Sequence, residues 1–218
     1  MYAHKYITML ERVARRYAPS RALSFDLVHV FAALQRIGNK GITSRNTLCS
    51  GLALGEGTVK TLVKHLKMHG LIETSNRGTR MTAKGKGVYE GLLSAIPAEM
   101  SLPRCSIALS RFNYAVLVRE FGFAVGLGIE QRDAAIKMGA TGATTLLFKD
   151  NKFVMPAASS NDSLKKEREV RRMLVEKLNP RDGDVIIIGS ADSKEKTAEL
   201  GAKNAALLTI LSHEKHHH

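Results

Sequence analysis

A short helix, a turn, an amphipathic helix and a β-hairpin with a basic tip, followed by a half that alternates strand and helix signals, predict a two-domain α+β and α/β protein. The first observation is the stretch Asn46–Lys86. Its second helix, expected over residues 58–69, spaces Val59, Leu62, Val63 and Leu66 at i, i+3, i+4 and i+7, a narrow apolar stripe. Gly70 follows where a left-handed residue closes a helix. Strands over 71–75 and 79–82 then flank the turn Asn76-Arg77-Gly78. That order is the grammar of a winged helix-turn-helix. The second observation is Asp184–Ile188, an apolar run that reads as the central strand of a mixed-sheet α/β domain. The third is the pair Pro97 and Pro103, which brackets Ala98–Leu102 as a linker. The expected organisation is a winged-helix domain over 1–103, an α/β domain over 104–213, and a tail over 214–218 in which His216–His218 read as a tag remnant.

The remaining elements follow in order. Tyr6, Leu10, Val13 and Tyr17 recur at helical spacing opposite Arg12, Arg15 and Arg16, and Pro19-Ser20 break that helix. Asp26 is placed to cap a helix whose apolar face is Leu27, Val30, Phe31 and Leu34. Gly38 and Gly41 end it, and Thr43 or Ser44 caps the first helix of the helix-turn-helix, with Leu48 and Leu52 inward. Val88, Leu92, Leu93 and Ile96 mark a helix closing the first domain. Beyond the linker, strands are expected over 106–109 and 114–118, and a helix over 129–138. A hairpin over 143–155 turns at Asp150-Asn151. Leu164, Val170, Leu174 and Leu178 form the face of a charged helix. After the central strand come a helix over 191–200 and a last strand over 205–211.

The 218 residues are 44% hydrophobic, enough to fill two cores, and no apolar run approaches the length of about 18 residues that suggests a membrane span. The segment from Met1 to Lys5 is charged and lacks a signal peptide's apolar core. Cys49 and Cys105 are too few for a disulfide scaffold and suit a reducing cytoplasm as small buried residues. The formal charge of +13 is uneven. Residues 1–103 carry fifteen Lys and Arg against six Asp and Glu, a formal +9, whereas residues 104–218 carry eighteen against fourteen, a formal +4. A polyanionic partner for the first half fits that asymmetry, and simple solubility fits it equally.

Three surfaces form the candidate interface with double-stranded DNA. At ~100° per residue, Thr61, Lys64 and Met68 point away from the apolar stripe, flanked by Thr58, Lys60 and His65. Lysine there can bond guanine edges and threonine can touch a thymine methyl or a phosphate. Arg77 and Arg80 on the hairpin reach the flanking backbone or minor groove, and Ser44, Arg45 and Asn46 open a helix whose N–H groups can clasp a phosphate. The alternative is a solvated polar face used for protein contacts.

LGEGTVKTLVKHLKMHGLI followed by RGTRMTAKG resembles archaeal winged-helix transcriptional regulators. GIEQRDAAIKMGATGATTLLFKDNKFVMP is similar to an uncharacterised archaeal domain found behind such a winged helix. Together they cover nearly the whole chain, and the resemblance implies a DNA-binding regulator with its ligand open. A second archaeal family joins a winged helix to a riboflavin kinase, but its Gly-rich nucleotide segment and proline-threonine-asparagine loop are not evident here.

In the second half, two helix N-termini offer places for a small anionic ligand. One is Gly128 with Gln131, Arg132 and Asp133, and the other is Gly189, Ser190 and Asp192. The same glycines also read as turn positions with positive φ. No catalytic residue is assigned, because GxSxG, P-loop, HExxH and CxxC patterns are all missing. His65 and His69 stand at i, i+4, yet no cysteine or carboxylate cluster accompanies them, so no metal or other cofactor is expected. The expected protein is a cytoplasmic homodimeric regulator, not an enzyme, whose C-terminal domain senses a small molecule or mediates dimerisation. The alternative is a nucleotide or flavin-pathway enzyme or binding protein, kinase-like, carrying a regulatory winged helix.

Overall fold

Apolar residues at three- and four-residue spacing build the N-terminal helices. In the computed structural model, which describes residues 3–15, 23–156 and 162–212, α1 (Ala3–Val13) buries Ile7, Leu10 and Val13 completely. Arg16, Tyr17 and the Pro19-Ser20 break lie outside the described residues, as do residues 213–218. α2 (Leu27–Lys40) starts at Asp26, whose N–H donates to His29 Nδ1 at 3.0 Å, and ends at Gly41 with φ 73. α3 (Arg45–Leu52) is capped by Ser44, whose Oγ accepts from Thr47 N–H at 3.1 Å. After the turn Ala53–Gly55, α4 (Glu56–Met68) buries Val59, Leu62 and Leu66 and leaves Val63 half-buried. Gly70 at φ 69 stops it in the left-handed region, and Leu71 N–H closes on Leu66 O. β1 (Ile72–Ser75) and β2 (Gly78–Met81) pair antiparallel around Asn76-Arg77, and α5 (Ala83–Ala95) follows.

The chain divides into two compact units, Met1–Leu92 and Leu93–His218. The division falls within α5, not at Pro97–Pro103, because Ala98–Leu102 is no linker. Glu99–Leu102 forms β3 at the edge of the second unit's sheet. Its two prolines sit just outside the strand, where a missing N–H interrupts no ladder.

The second unit is built on β4 (Phe112–Val118), β5 (Gly142–Lys149), β6 (Lys152–Val154) and β7 (Val185–Ala191), in the order β3-β4-β7-β5-β6. Every pairing is antiparallel, so the sheet is not mixed as the strand-helix alternation predicts. The helix α6 (Ile129–Ile136) carries the chain from β4 to a β5 running parallel to it, but β7 inserts between the two, antiparallel to both. The alternation signal thus records a crossover without recording the strand that fills its gap. Asp150 and Asn151 take φ 49 and 56, as a two-residue hairpin between β5 and β6 requires.

Two further expectations are corrected. Residues 106–109 form a turn closed by a Cys105–Ala108 bridge, not a strand. The helix and strand expected over 191–211 are one helix, α8 (Glu195–Ser212). Its alanines favour helix, and the apolar run that suggests a strand is a helix buried on most of its circumference, which periodicity cannot distinguish.

Side chains alternate across this sheet. Ala115, Leu117, Leu146, Ile186 and Ile188 share one core with Leu174 and Leu178 of α7 (Arg168–Leu178). α6 and α8 cover the opposite face, where a Cβ on Gly189 would lie 2.4 Å from Ala198 O and 2.6 Å from Ala202 N. Gly189→Ala is therefore expected to destabilise by about 1–3 kcal/mol through overpacking. Equilibrium urea unfolding checks this, and an unchanged midpoint would contradict the packing.

Burial pushes the His29 imidazole below its ordinary value, against Asp26, and burial with the charges of Lys84, His65 and Arg12 does the same to His69. The unfolded chain then takes up protons below about pH 6.5 that the folded chain refuses. Stability from these groups is complete above that pH and declines as pH falls through it. His29→Gln, which retains an acceptor for Asp26 N–H, should lose less stability than the wild type between about pH 7 and pH 5 in urea titrations.

Candidate functional site

On the first unit, α4 presents exposed Lys60 and Lys64, with Thr58 and Thr61 half-buried beside them. Thr61 Oγ1 donates back to Gly57 O at 3.1 Å, which fixes its rotamer. His65 does not belong to this face. It is 6% exposed, its Nδ1 bonds Val13 O at 2.8 Å, and its ring meets Phe25 edge-on at 5.5 Å. Position 65 lies close enough to the stripe of Leu62 and Leu66 to turn inward, and α1 supplies a polar partner that makes burial tolerable. Arg77 is exposed at the hairpin turn, where its own N–H donates to Ser75 Oγ. Arg80 is exposed but engaged, its Nε donating to Glu73 Oε1 at 2.7 Å across the hairpin. Arg45 lies 3.6 Å from Glu56, Asn46 is exposed, and the Ser44 hydroxyl is committed to the α3 cap.

The second unit separates the two anion sites expected there. Gly189 and Ser190 lie within β7, and α8 begins only at Glu195, so no helix N-terminus stands at Gly189. Gly189 serves close packing, Ser190 Oγ donates to Asn113 Oδ1 at 2.7 Å, and Asp192 Oδ1 accepts from Arg111 N–H at 2.9 Å. These three side groups have structural duties and form no cradle. At the other site Gln131 is 3% exposed and points at α8, donating to Thr209 Oγ1 at 3.0 Å. Asp133 pairs with Arg132 at 3.1 Å on the exposed surface.

Gly128 and Arg132 remain, and they line a pocket of about 260 Å³ with Thr145, Ile129, Met155 and Pro156. Gly128 is the N-cap of α6 at φ 80 and contributes no side-chain cap. A Cβ there would lie 3.5 Å from Thr145 Oγ1, so glycine keeps this floor open. Thr145 itself had no sequence signal. It reads as one more β-branched residue in a strand, and only tertiary packing turns it toward Gly128.

A second constellation also escapes the sequence. Lys203 Nζ, on a side chain 3% exposed, bonds Glu199 at 2.7 Å and Glu99 at 2.9 Å. Tyr114 OH donates to Glu99 at 2.9 Å, and Lys196 also bonds Glu199. Burial alone would raise the Glu199 carboxyl, but the ammonium groups of Lys203 and Lys196 outweigh it and hold it below its ordinary value. Burial and then the Glu99 charge push the Tyr114 hydroxyl upward, so it stays a neutral donor. Each charge is matched, which makes the group an anchor of α8 onto β3 and β4. Among the described residues, no three His, Cys, Asp or Glu side chains gather as a metal site. No described helix is long and apolar enough to cross a membrane.

Comparisons with known proteins bear on the second unit and on most of the chain. Residues 109–210 match the family model of a domain of unknown function, DUF4443. The C-terminal region carries a DUF4443 domain. The fold is similar to that of "Hypothetical protein PH0730 from Pyrococcus horikoshii OT3", with a TM-score of 0.70 and 28% identity over 88% of this chain and 95% of that chain. Both agree with the resemblance to an uncharacterised archaeal family. No curated protein matches the chain.

Removing the buried ammonium by Lys203→Met leaves Glu199 to Lys196 and Glu99 to Tyr114, and is expected to cost about 3 kcal/mol in urea unfolding. Lys203→Met with Glu199→Leu should recover part of that loss, since fewer charges stay buried.

Proposed function

We propose that the chain is a cytoplasmic DNA-binding transcriptional regulator whose unit Met1–Leu92 is a winged helix-turn-helix. The observation that carries this reading is the shared face of Lys60, Lys64 and Thr61 on α4, followed by a hairpin with exposed Arg77 at its turn. Among the described residues neither Lys60, Lys64 nor Arg77 makes an ion pair, so three cations stand ready for phosphate or base edges. A helix about 10–12 Å across fits a major groove about 12 Å wide. With α4 in the groove, Arg77 reaches the neighbouring backbone, and the first-turn N–H groups of α3 with Asn46 meet a phosphate. The formal +9 on residues 1–103 supplies the long-range attraction. The second unit regulates, by binding a small anionic molecule or by forming a homodimer that sets half-site spacing.

Fluorescence anisotropy against a randomised duplex library should give binding that weakens steeply with salt. Lys64→Ala and Arg77→Ala are each expected to reduce the slope of log affinity against log salt by about one while preserving thermal unfolding. Unchanged affinity in both variants would remove α4 and the hairpin from the interface.

A further inference from the structure

We propose that the pocket beside Gly128 binds a small aliphatic carboxylic acid as its carboxylate. This deepens the regulatory half of the functional reading and does not depend on DNA binding.

Four features converge there. Thr145 is 5% exposed and lines the pocket, yet its Oγ1 has no hydrogen-bond partner among the described residues. A hydroxyl kept from both water and protein is costly, and a ligand acceptor would satisfy it. The first turn of α6 adds N–H groups that have no acceptor within the helix and no cap from Gly128. β6 pairs only with Leu147, Phe148 and Lys149, so among the described residues the outer edge of β5 at Ala143 and Thr145 faces no strand. Hydrogen-bonding alternates along a strand, and Phe148 faces β7 through Asp184 O, so Ala143 and Thr145 turn their N–H groups outward toward this pocket. Arg132 supplies the cation at the rim.

The charge balance selects the class of anion. Arg132 already shares its charge with Asp133, and Glu130 stands exposed on the same helix. One divided cation with two nearby carboxylates favours a monoanion over a phosphate dianion. Leu127, Ile129, Met155 and Pro156 give the remaining walls an apolar character suited to an alkyl tail. At about 260 Å³ the space falls just below the usual range of roughly 300–1,000 Å³, which limits that tail to a few carbons.

The test is calorimetric titration of the full chain, without DNA, using propionate, butyrate, valerate and hexanoate. Butyramide and inorganic phosphate serve as the neutral and dianionic controls. Saturable binding of at least one acid is expected, with butyramide and phosphate weaker by about tenfold or more. Thr145→Val, which keeps shape and removes the hydroxyl, and Arg132→Gln should each weaken the acid by about tenfold, with Thr145→Val melting at or above and Arg132→Gln near the wild-type temperature. The proposal is overturned if no acid saturates, if phosphate or the amide binds as well, or if neither variant changes affinity. Because the titration contains no DNA, its failure leaves DNA binding standing, and failure of DNA binding leaves the pocket standing.

Discussion

At Gly189 the backbone of the central strand β7 comes so near α8 that any side chain would meet Ala198 O and Ala202 N, and much of the second unit follows from that approach. A helix can come this close only if it carries small residues on the contact face, and α8 does so with Ala198, Ala202 and Ala205. Small residues recur on its other contact, where a Cβ on Gly201 would lie 2.9 Å from Ala140 Cβ and 3.4 Å from Cβ of Ala135 on α6. α6 is thereby drawn against α8, and Asn204 Nδ2 bonds Ala134 O at 2.8 Å to fix their register. The short reach of alanine and glycine gives little apolar area per residue, so the interface relies on closeness and on polar clamps. That dependence explains why polar groups such as Gln131, Asn204 and Thr209 are buried here with specific partners.

Charge is handled differently at the two ends of the sheet. Near β3 and β4, Lys203 sits between two carboxylates and secures α8. Between β4 and β7, fully buried Asp184 accepts from Arg119 Nη1 at 2.5 Å and from the N–H groups of Glu120 and Arg181. A buried carboxylate without such donors would be strongly unfavourable, and with them it fixes where both strands begin and end. Both arrangements leave no charge unsatisfied. The pocket at Gly128 is the contrast, because there a buried hydroxyl is left over.

The two halves of the candidate chemistry were legible to different degrees. Lys60, Lys64 and Arg77 were readable because helical phase and turn position alone decide their exposure. The phase of His65 lies on the border of the apolar stripe, so the spacing alone places it outward, and only the carbonyl of Val13 makes its burial acceptable. In the second unit Gly128 and Arg132 line a common pocket, whereas Gln131 turns inward to Thr209 and Gly189 serves packing. Thr145 enters solely through strand register.

The sequence by itself determined the elements whose forces are local. Ser44 and Asp26 begin their helices, Gly70 closes α4, and Asp150-Asn151 folds a two-residue hairpin, because capping and positive φ act within a few residues. The apolar run Asp184–Ile188 likewise announced a central strand, which is buried on both faces and extends to Ala191. Tertiary structure decided what depends on distant partners. It made residues 99–102 an edge strand, placed β7 antiparallel between β4 and β5, and kept residues 195–212 as one helix. Strand pairing and burial on all sides are set by residues far away along the chain, and periodicity within a short window carries no record of them.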